Sequence, residues 1–265
     1  MSIQTSDSLV EVPGGDIFVR QWHCATSRGS PLLLLHDSLG SVAQWRDFPA
    51  SLAAAANRRV IAYDRLGFGQ STARSDRPSI HFIDEEAEQV FPAVRRALSL
   101  ERCALFGHSV GGSMALRIAA SFPGYCEAVI TESAQCFVEP RTLAGIRAAQ
   151  TAFEDPEQLN RLAKWHGDRA RWVLDAWVGV WLSTEFSSWS LDPWLGRVSC
   201  PVLALHGDQD PYGSEAFPRR IASRVSGPSE MVLLEACGHV PHRERPEEIV
   251  RLAAAFLLKA EAGGV

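Results

Sequence analysis

The chain has 265 residues, of which 46% are apolar and 22% charged; this is ordinary globular composition and suits one large domain, or one domain carrying an insert. Its net charge of −5 comes without any block of lysine or arginine, which argues against nucleic acid or an anionic membrane surface as a partner. The apolar runs, such as "PLLLL" and "LAAAA", are too short to span a bilayer, and the opening "MSIQTSDSLVEVPGGD" lacks the basic start and long apolar stretch of a secretory signal.

In chain order, "LVEVPGGDIFVRQWH" reads as two strands about a Pro-Gly-Gly turn. "PLLLLH" is a continuous apolar run, as expected of a strand buried on both faces. "QWRDFPASLAAAAN" predicts a helix closed by Asn57, and "RRVIAYD" a second short buried strand. "RLGFGQSTARSDRPS" is loop. "IDEEAEQVFPAVRRALSL" has helical spacing and an acidic first turn, and Pro92 should kink or break it. "RCALFGH" predicts a third buried strand, "SMALRIAASFP" a helix stopped by Pro123, and "EAVITES" a fourth buried strand. "CPVLALHG" and "SEMVLLEA" supply two more, with a helix around "EAFPRRIASRV" between them. "PEEIVRLAAAFLLKAEA" closes the chain as a helix with Pro246 at its start. Short buried strands alternating with amphipathic helices predict an α/β fold, a parallel sheet with helices on both faces.

Residues 135–196 break that rhythm. They show no good strand pattern, and the steps Asp155-Pro156 and Asp192-Pro193 suit turns or helix starts. They also hold six of the eight tryptophans, at 165, 172, 177, 181, 189 and 194. The expectation is an all-helical insert carried by a core domain of residues 1–134 and 197–265. Most of these tryptophans should pack the insert onto the sheet. Trp177 and Trp181, four apart, can share a helix face and are the candidates to line a mainly apolar pocket beneath it. The six cysteines, at 24, 103, 126, 136, 200 and 237, form no C-x-x-C pair. They read as buried free thiols in a reducing compartment, with the cytoplasm expected, rather than as a disulfide framework or a metal site.

The chemistry centres on "GHSVG", residues 107–111, which matches G-x-S-x-G between a predicted strand and a predicted helix. A nucleophile on so tight a turn has strained torsions, and glycines two before and two after remove the collisions that side chains would cause. Ser109 is the candidate nucleophile. A serine hydroxyl needs a base and an orienting acid, expected in the chain order Ser, acid, His. Asp210 in "HGDQDPYG" and His239 in "ACGHVPH" both follow predicted strands, on the sheet edge where open parallel sheets bind ligands. Rivals remain at this point: Asp208 and Glu132 for the acid, His242 for the base. His36, His108 and His206 end apolar strands and suit packing roles; His81 and His166 carry no signal. Two backbone N–H groups should face a developing oxyanion, that of Val110 and one from "HDSLGS", for which Ser38 is the candidate.

The pieces "LLHDSLGS", "YDRLGFGQS", "GHSVGG", "GDQDP" and "GHVPHRERPEE" occur in the order found in the α/β-hydrolase family, which the chain resembles over nearly its whole length apart from the insert. The resemblance implies an eight-stranded, mostly parallel sheet with a helical cap after the sixth strand, a Ser-His-Asp triad and no cofactor. "YDRLGFGQS" resembles the family's structural turn after the fourth strand and receives no catalytic role. Nearest in pattern are capped carboxylesterases, enol-lactone hydrolases, carbon–carbon bond hydrolases of ring-cleavage products and valacyclovir-hydrolase-like enzymes. The chain departs from the family in two places. His36-Asp37 stands where relatives usually carry His-Gly, so Asp37 puts a carboxylate beside the site, where it would repel anions, bind an amine or face solvent. Val110 stands where the valacyclovir-hydrolase-like enzymes carry an amine-binding aspartate, so that specificity does not transfer. The serine also argues against dehalogenases and epoxide hydrolases. The expected function is hydrolysis of small carboxylic esters or lactones through an acyl-enzyme, by a monomer or homodimer whose partner is a small-molecule substrate. The alternatives are carbon–carbon bond hydrolysis of a keto acid, which calls for an arginine facing Ser109, and a hydrolase-fold receptor with little turnover.

Overall fold

The structure, a computed structural model, describes residues 3–23 and 25–263. Its strands are β1 (Gln4–Val12), β2 (Gly15–His23), β3 (Leu32–Leu35), β4 (Val60–Tyr63), β5 (Cys103–His108), β6 (Cys126–Glu132), β7 (Val202–Gly207) and β8 (Ser229–Leu234). They form one eight-stranded sheet in the order β1-β2-β4-β3-β5-β6-β7-β8. β2 is antiparallel to β1 and β4, and all other neighbours are parallel. The chain moves outward from β3 to β4 and then returns to place β5 on the other side of β3. The loops after β3 and β5 therefore diverge at a switch point, where such sheets open a crevice.

The four leucines of β3 show why these strands are continuous apolar runs. Leu32 and Leu34 enter the core beneath α1 (Phe48–Ala56) and α11 (Pro246–Glu261), with Leu52, Ile249 and Leu257. Leu33 and Leu35 enter the opposite core, with Met114 and Ile118 of α4 (Val110–Ser121) and Phe91 of α3 (Phe91–Ala97). With side chains alternating across the sheet and both faces covered, no position on such a strand can be polar at low cost. Fully burying each of these leucines contributes about 1.5–3 kcal/mol.

Three elements differ from expectation. β1 begins at Gln4, although "QTSDS" carries no apolar alternation. Its side chains are exposed, and it is held by the ladder to β2 from Gln4↔His23 onward and by the Arg20–Asp7 ion pair at 2.7 Å. The predicted helix around Pro92 is α2 (Phe82–Glu85), a π-helical turn over Glu86–Val90, and then α3. The wider turn accommodates a ring that would otherwise strike the carbonyl of residue 88, and Pro92 becomes the second residue of a fresh helix, where no N–H is needed. α4 starts at Val110, directly after Ser109, so Gly111 and Gly112 are helical despite their low propensity. A Cβ on Gly111 would lie 2.1 Å from the Leu35 carbonyl oxygen, so glycine there lets α4 lie against β3.

Between β6 and β7 the chain forms α5 (Pro140–Ala152), α6 (Pro156–His166), α7 (Ala170–Trp181) and α8 (Asp192–Leu195). Asp155 caps α6 by accepting the Glu157 N–H at 2.9 Å. A bridge between Phe137 and Ser190 brings the two ends of this excursion together. After β7 come α9 (Ala216–Arg224), β8, the short α10 (Pro241–Glu244) and α11. Among the described residues no helix is long and apolar enough to cross a membrane. The five described cysteines are free and buried, and burial pushes the Cys103 thiol up to about 12; Cys24 lies outside the described residues.

Candidate active site

β5 delivers its chain to the sheet edge at His108, and Ser109 turns it with φ 55° and ψ −126°. This lies outside the comfortable regions for an L-residue, and the surroundings hold it there. The Ser109 N–H donates to the Glu132 carbonyl at 2.8 Å, and the Ser109 carbonyl accepts from Gly112 N–H at 2.8 Å. A Cβ on Gly107 would meet the Gly111 carbonyl oxygen at 2.2 Å, so the turn closes only around a glycine.

His239 lies in the loop between β8 and α10. Its Nε2 is 3.1 Å from Ser109 Oγ, and its Nδ1 is 2.8 Å from Asp210 Oδ2. Asp210, in the loop after β7, is fully buried and also accepts the Tyr212 N–H at 2.7 Å through Oδ1. Because the carboxylate only accepts, Nδ1 of His239 carries the proton and Nε2 is left to accept from the serine hydroxyl. Burial works against ionisation of Asp210, but the His239 charge and the two hydrogen bonds hold its carboxyl below the usual range. Burial also works against a charged His239. Asp210, with smaller contributions from Asp37 and Glu132, outweighs it and holds the histidine above its ordinary value.

The rival acids are placed elsewhere. Asp208 accepts the Cys237 N–H at 3.3 Å. Glu132, at the end of β6, is fully buried and takes His242, not His239: Oε1 accepts the His242 N–H at 2.7 Å, and Oε2 lies 2.5 Å from His242 Nδ1. His108 donates from Nε2 to the His239 carbonyl at 2.8 Å, and burial drives its pKa down to about 4, so it is a neutral donor. Polar atoms of His108, Glu132 and His242 lie within 4.8 Å of one another. In the structure they are engaged in these hydrogen bonds.

The loop after β3 is tied down through its carbonyls. Asp37 O accepts from His36 Nδ1 and from the Arg65 guanidinium, each at 2.8 Å, and Leu39 O accepts from His166 Nε2 at 2.9 Å and Gln44 Nε2 at 2.7 Å. Among the described residues no protein acceptor takes the N–H of Ser38 or Val110. Asp64, in the "YDRLGFGQS" piece, accepts the backbone N–H of Val42 at 2.6 Å and of Gln70 at 2.8 Å, which braces the same loops.

A cavity of about 200 Å³ opens over Ser109. Asp37, Ser38, Leu39 and His239 form one side of it, and Trp177, Trp181, Thr142 and Ile146 from the helical excursion form the other. The sequence reading missed Leu39, Gln135, Thr142, Ile146, Tyr212 and Val240 in this lining, and two of these stand directly against Ser109 and His239. Gln135 places its side-chain nitrogen 3.2 Å from Ser109 Oγ. Tyr212 stands edge-on against the His239 ring, with centroids 4.8 Å apart. Tyr212 had a signal, an aromatic directly after the Asp-Pro step of the acid's loop; Gln135 had none. His166, silent in sequence, bridges the excursion to the core by accepting Gly69 N–H at 3.0 Å while donating to Leu39.

This fold, with its strand-end Ser, His and Asp, defines a class that the comparisons then identify. A family model described as "Alpha/beta hydrolase family" matches residues 32–252, and the chain belongs to that family. Among curated relatives, a proline iminopeptidase of Lactobacillus crispatus (strain ST1) is 25% identical, over 87% of this chain and 91% of its own. A pimeloyl-[acyl-carrier protein] methyl ester esterase of Aeromonas hydrophila subsp. hydrophila is 26% identical, over 87% of this chain and 96% of its own. Among solved structures, the 2-hydroxy-6-oxo-6-phenylhexa-2,4-dienoate hydrolase of Rhodococcus sp. strain RHA1 superposes with a TM-score of 0.82 at 18% identity, covering 96% of this chain and 99% of that one. The chain is accordingly an alpha/beta hydrolase.

Proposed function

We propose that this hydrolase cleaves small neutral carboxylic esters or lactones through a Ser109–His239–Asp210 triad and an acyl-enzyme. The observation that carries the reading is His239, 3.1 Å from Ser109 Oγ and 2.8 Å from Asp210, at the base of a cavity of about 200 Å³. His239 takes the hydroxyl proton as Ser109 attacks the carbonyl, and Asp210 stabilises the imidazolium that forms. The Ser38 and Val110 N–H groups, which have no protein acceptor among the described residues, hold the oxyanion. His239 returns the proton to the leaving alcohol and then deprotonates the water that releases the acid. The helices of residues 135–196 act as a cap, with Trp177 and Trp181 as apolar walls for the acyl or alcohol group.

The cavity lining favours esters over the keto-acid alternative. Among its described residues it contains no arginine or lysine and does contain the Asp37 carboxylate, so a substrate carboxylate would find no cation and one repelling charge. Ser109→Ala tests the reading with p-nitrophenyl acetate and butyrate. Turnover should fall by at least about 10⁴-fold, the scale seen when a triad nucleophile is removed. Retained turnover would remove Ser109 from the mechanism, and a single stoichiometric burst from the unaltered protein would favour the receptor alternative.

A further inference from the structure

Glu132 was the rival for the acid's role, and the proposed mechanism leaves it without one. It is fully buried, and so is most of its partner His242. Such a pair is costly to keep in an apolar core, where a hydrophobic pair of the same size is often as stable. What distinguishes it is where its two ends attach.

The main chain of Glu132 holds the nucleophile, because its carbonyl accepts the Ser109 N–H at 2.8 Å. Its side chain holds the loop that carries the base, through His242 N–H at 2.7 Å and Nδ1 at 2.5 Å. Its cross-strand neighbour in the β5–β6 register is His108, which fixes the backbone of the base itself through the His239 carbonyl at 2.8 Å. At the outer side of that loop, Glu244 accepts the N–H groups of Gly238 at 2.7 Å and Val240 at 3.1 Å. Asp210 sets the tilt of the His239 ring but does not anchor the backbone from which the ring hangs. That backbone is anchored by His108 at His239 itself, by Glu244 at the residues on either side, and by the Glu132 clamp at His242, on the inner side of the loop. The residue after Glu132, Ser133, has φ 52°, which turns the chain so that Gln135 reaches Ser109 Oγ.

We infer that Glu132, acting through His242, is a positioning residue that sets the separation of Ser109 Oγ from His239 Nε2 and adds a buried negative charge beneath the base. The inference rests on the Ser109–His239 mechanism proposed above. The reacting atoms never touch Glu132, so its removal should lower kcat rather than raise KM. It should also alter the charge felt by His239. The titratable groups facing that ring are Asp210 and His206 from β7 and its loop, Tyr212, Asp37 from the loop after β3, His108 from β5 and Glu132 from β6.

The test uses the full chain with Glu132→Gln and Glu132→Asp, assayed with p-nitrophenyl acetate and normalised by titrating active sites with a fluorophosphonate. Glu132→Gln should lower kcat per active site by about 10–100-fold with KM within about twofold, the scale of losing correct alignment at a catalytic group. The acidic limb of its pH–kcat/KM profile should move to lower pH, since a negative charge that favours the imidazolium is gone. Glu132→Asp, which keeps the charge but shortens the clamp, should leave the limb in place and still lose rate. A stabilising role alone would lower the melting temperature and the titratable fraction, with kcat per site and the limb unmoved; that outcome overturns the inference. If Glu132→Gln does not fold, His242→Asn decides, because it keeps one donor for the carboxylate and retains the charge. It should lower kcat per site without moving the limb, and an unchanged kcat again overturns the inference. The two readings fail separately. An unaltered protein that neither turns over esters nor labels at Ser109 removes the mechanism, whereas normal turnover with an indifferent Glu132 removes only the clamp.

Discussion

Ser109 adopts a backbone that costs about 1–3 kcal/mol, and the hydrogen bonds it donates to the Glu132 carbonyl and accepts from the Gly112 N–H maintain it. At the same scale, Asp37 is one of the two departures from the family pattern, beside Val110. Its carboxylate lines the cavity beside His239 and raises the pKa of that histidine. In the mechanism proposed above, His239 must be neutral to accept the serine proton. Because its pKa lies above the ordinary histidine value of 6.5, activity should rise with pH along an acidic limb centred above 6.5. Asp37→Asn removes a charge that favours the imidazolium, so its limb should sit at lower pH. The same variant should increase kcat/KM for a negatively charged ester, such as a p-nitrophenyl hemisuccinate, by about tenfold relative to the neutral butyrate, as expected for relief of a ~1.4 kcal/mol repulsion. An unchanged ratio would mean that Asp37 faces away from bound substrate. Ser109, His239 and Asp210 were legible in sequence because the motif, the strand ends and the chain order converge on them. Gln135 was not, since its role depends on the left-handed Ser133 and on which way β6 releases the chain.

The elements that present these residues depend on close contacts more than on propensity. α4 begins with Val-Gly-Gly, a poor helix start by composition, and it forms because its glycines lie against the Leu35 carbonyl and the turn around Ser109. Gly111→Ala would add a methyl 2.1 Å from that oxygen. It should destabilise the protein by about 3 kcal/mol, at the upper end of overpacking costs, as read by urea unfolding, and it should depress kcat because β3 leads directly into the Ser38 loop. If stability is unaffected, α4 is less closely seated than described. Periodicity predicted the buried strands and the long helices well. It missed Gln4–Ser8, whose strand conformation comes from the ladder to β2 and not from any apolar face. It also could not show that the break before Pro92 would take the form of a π turn.

Across the whole molecule, distant parts of the chain are joined by a few buried charges. Arg58, 1% exposed, precedes β4 and reaches Glu127 on β6 at 2.8 Å and Glu261 at the end of α11 at 3.1 Å. It also donates to the carbonyls of Ser30 at 3.0 Å and Leu257 at 3.4 Å. Arg58→Ala should cost about 2–3 kcal/mol, less than the loss from a fully buried pair because Glu261 is 48% exposed. The loss should appear as an earlier urea midpoint at unchanged slope, with ester turnover per folded molecule preserved. A midpoint within experimental error of the parent would show that solvent replaces these contacts.

What the linear chain established was local or ordered along it: the buried strands, because covering both faces forbids polar positions; the tight turn at Ser109, because only glycine tolerates its neighbours; and the succession of Ser109, Asp210 and His239. Which acid meets which histidine was a question of distance between strand ends far apart in sequence. There the β5-β6-β7-β8 order places Glu132 beneath His242 and Asp210 beside His239. Asp210 and His239 were favoured in sequence but Glu132 and His242 stayed open as rivals; the four acquire different partners because hydrogen bonds reach only about 3 Å, and only the folded sheet sets separations on that scale.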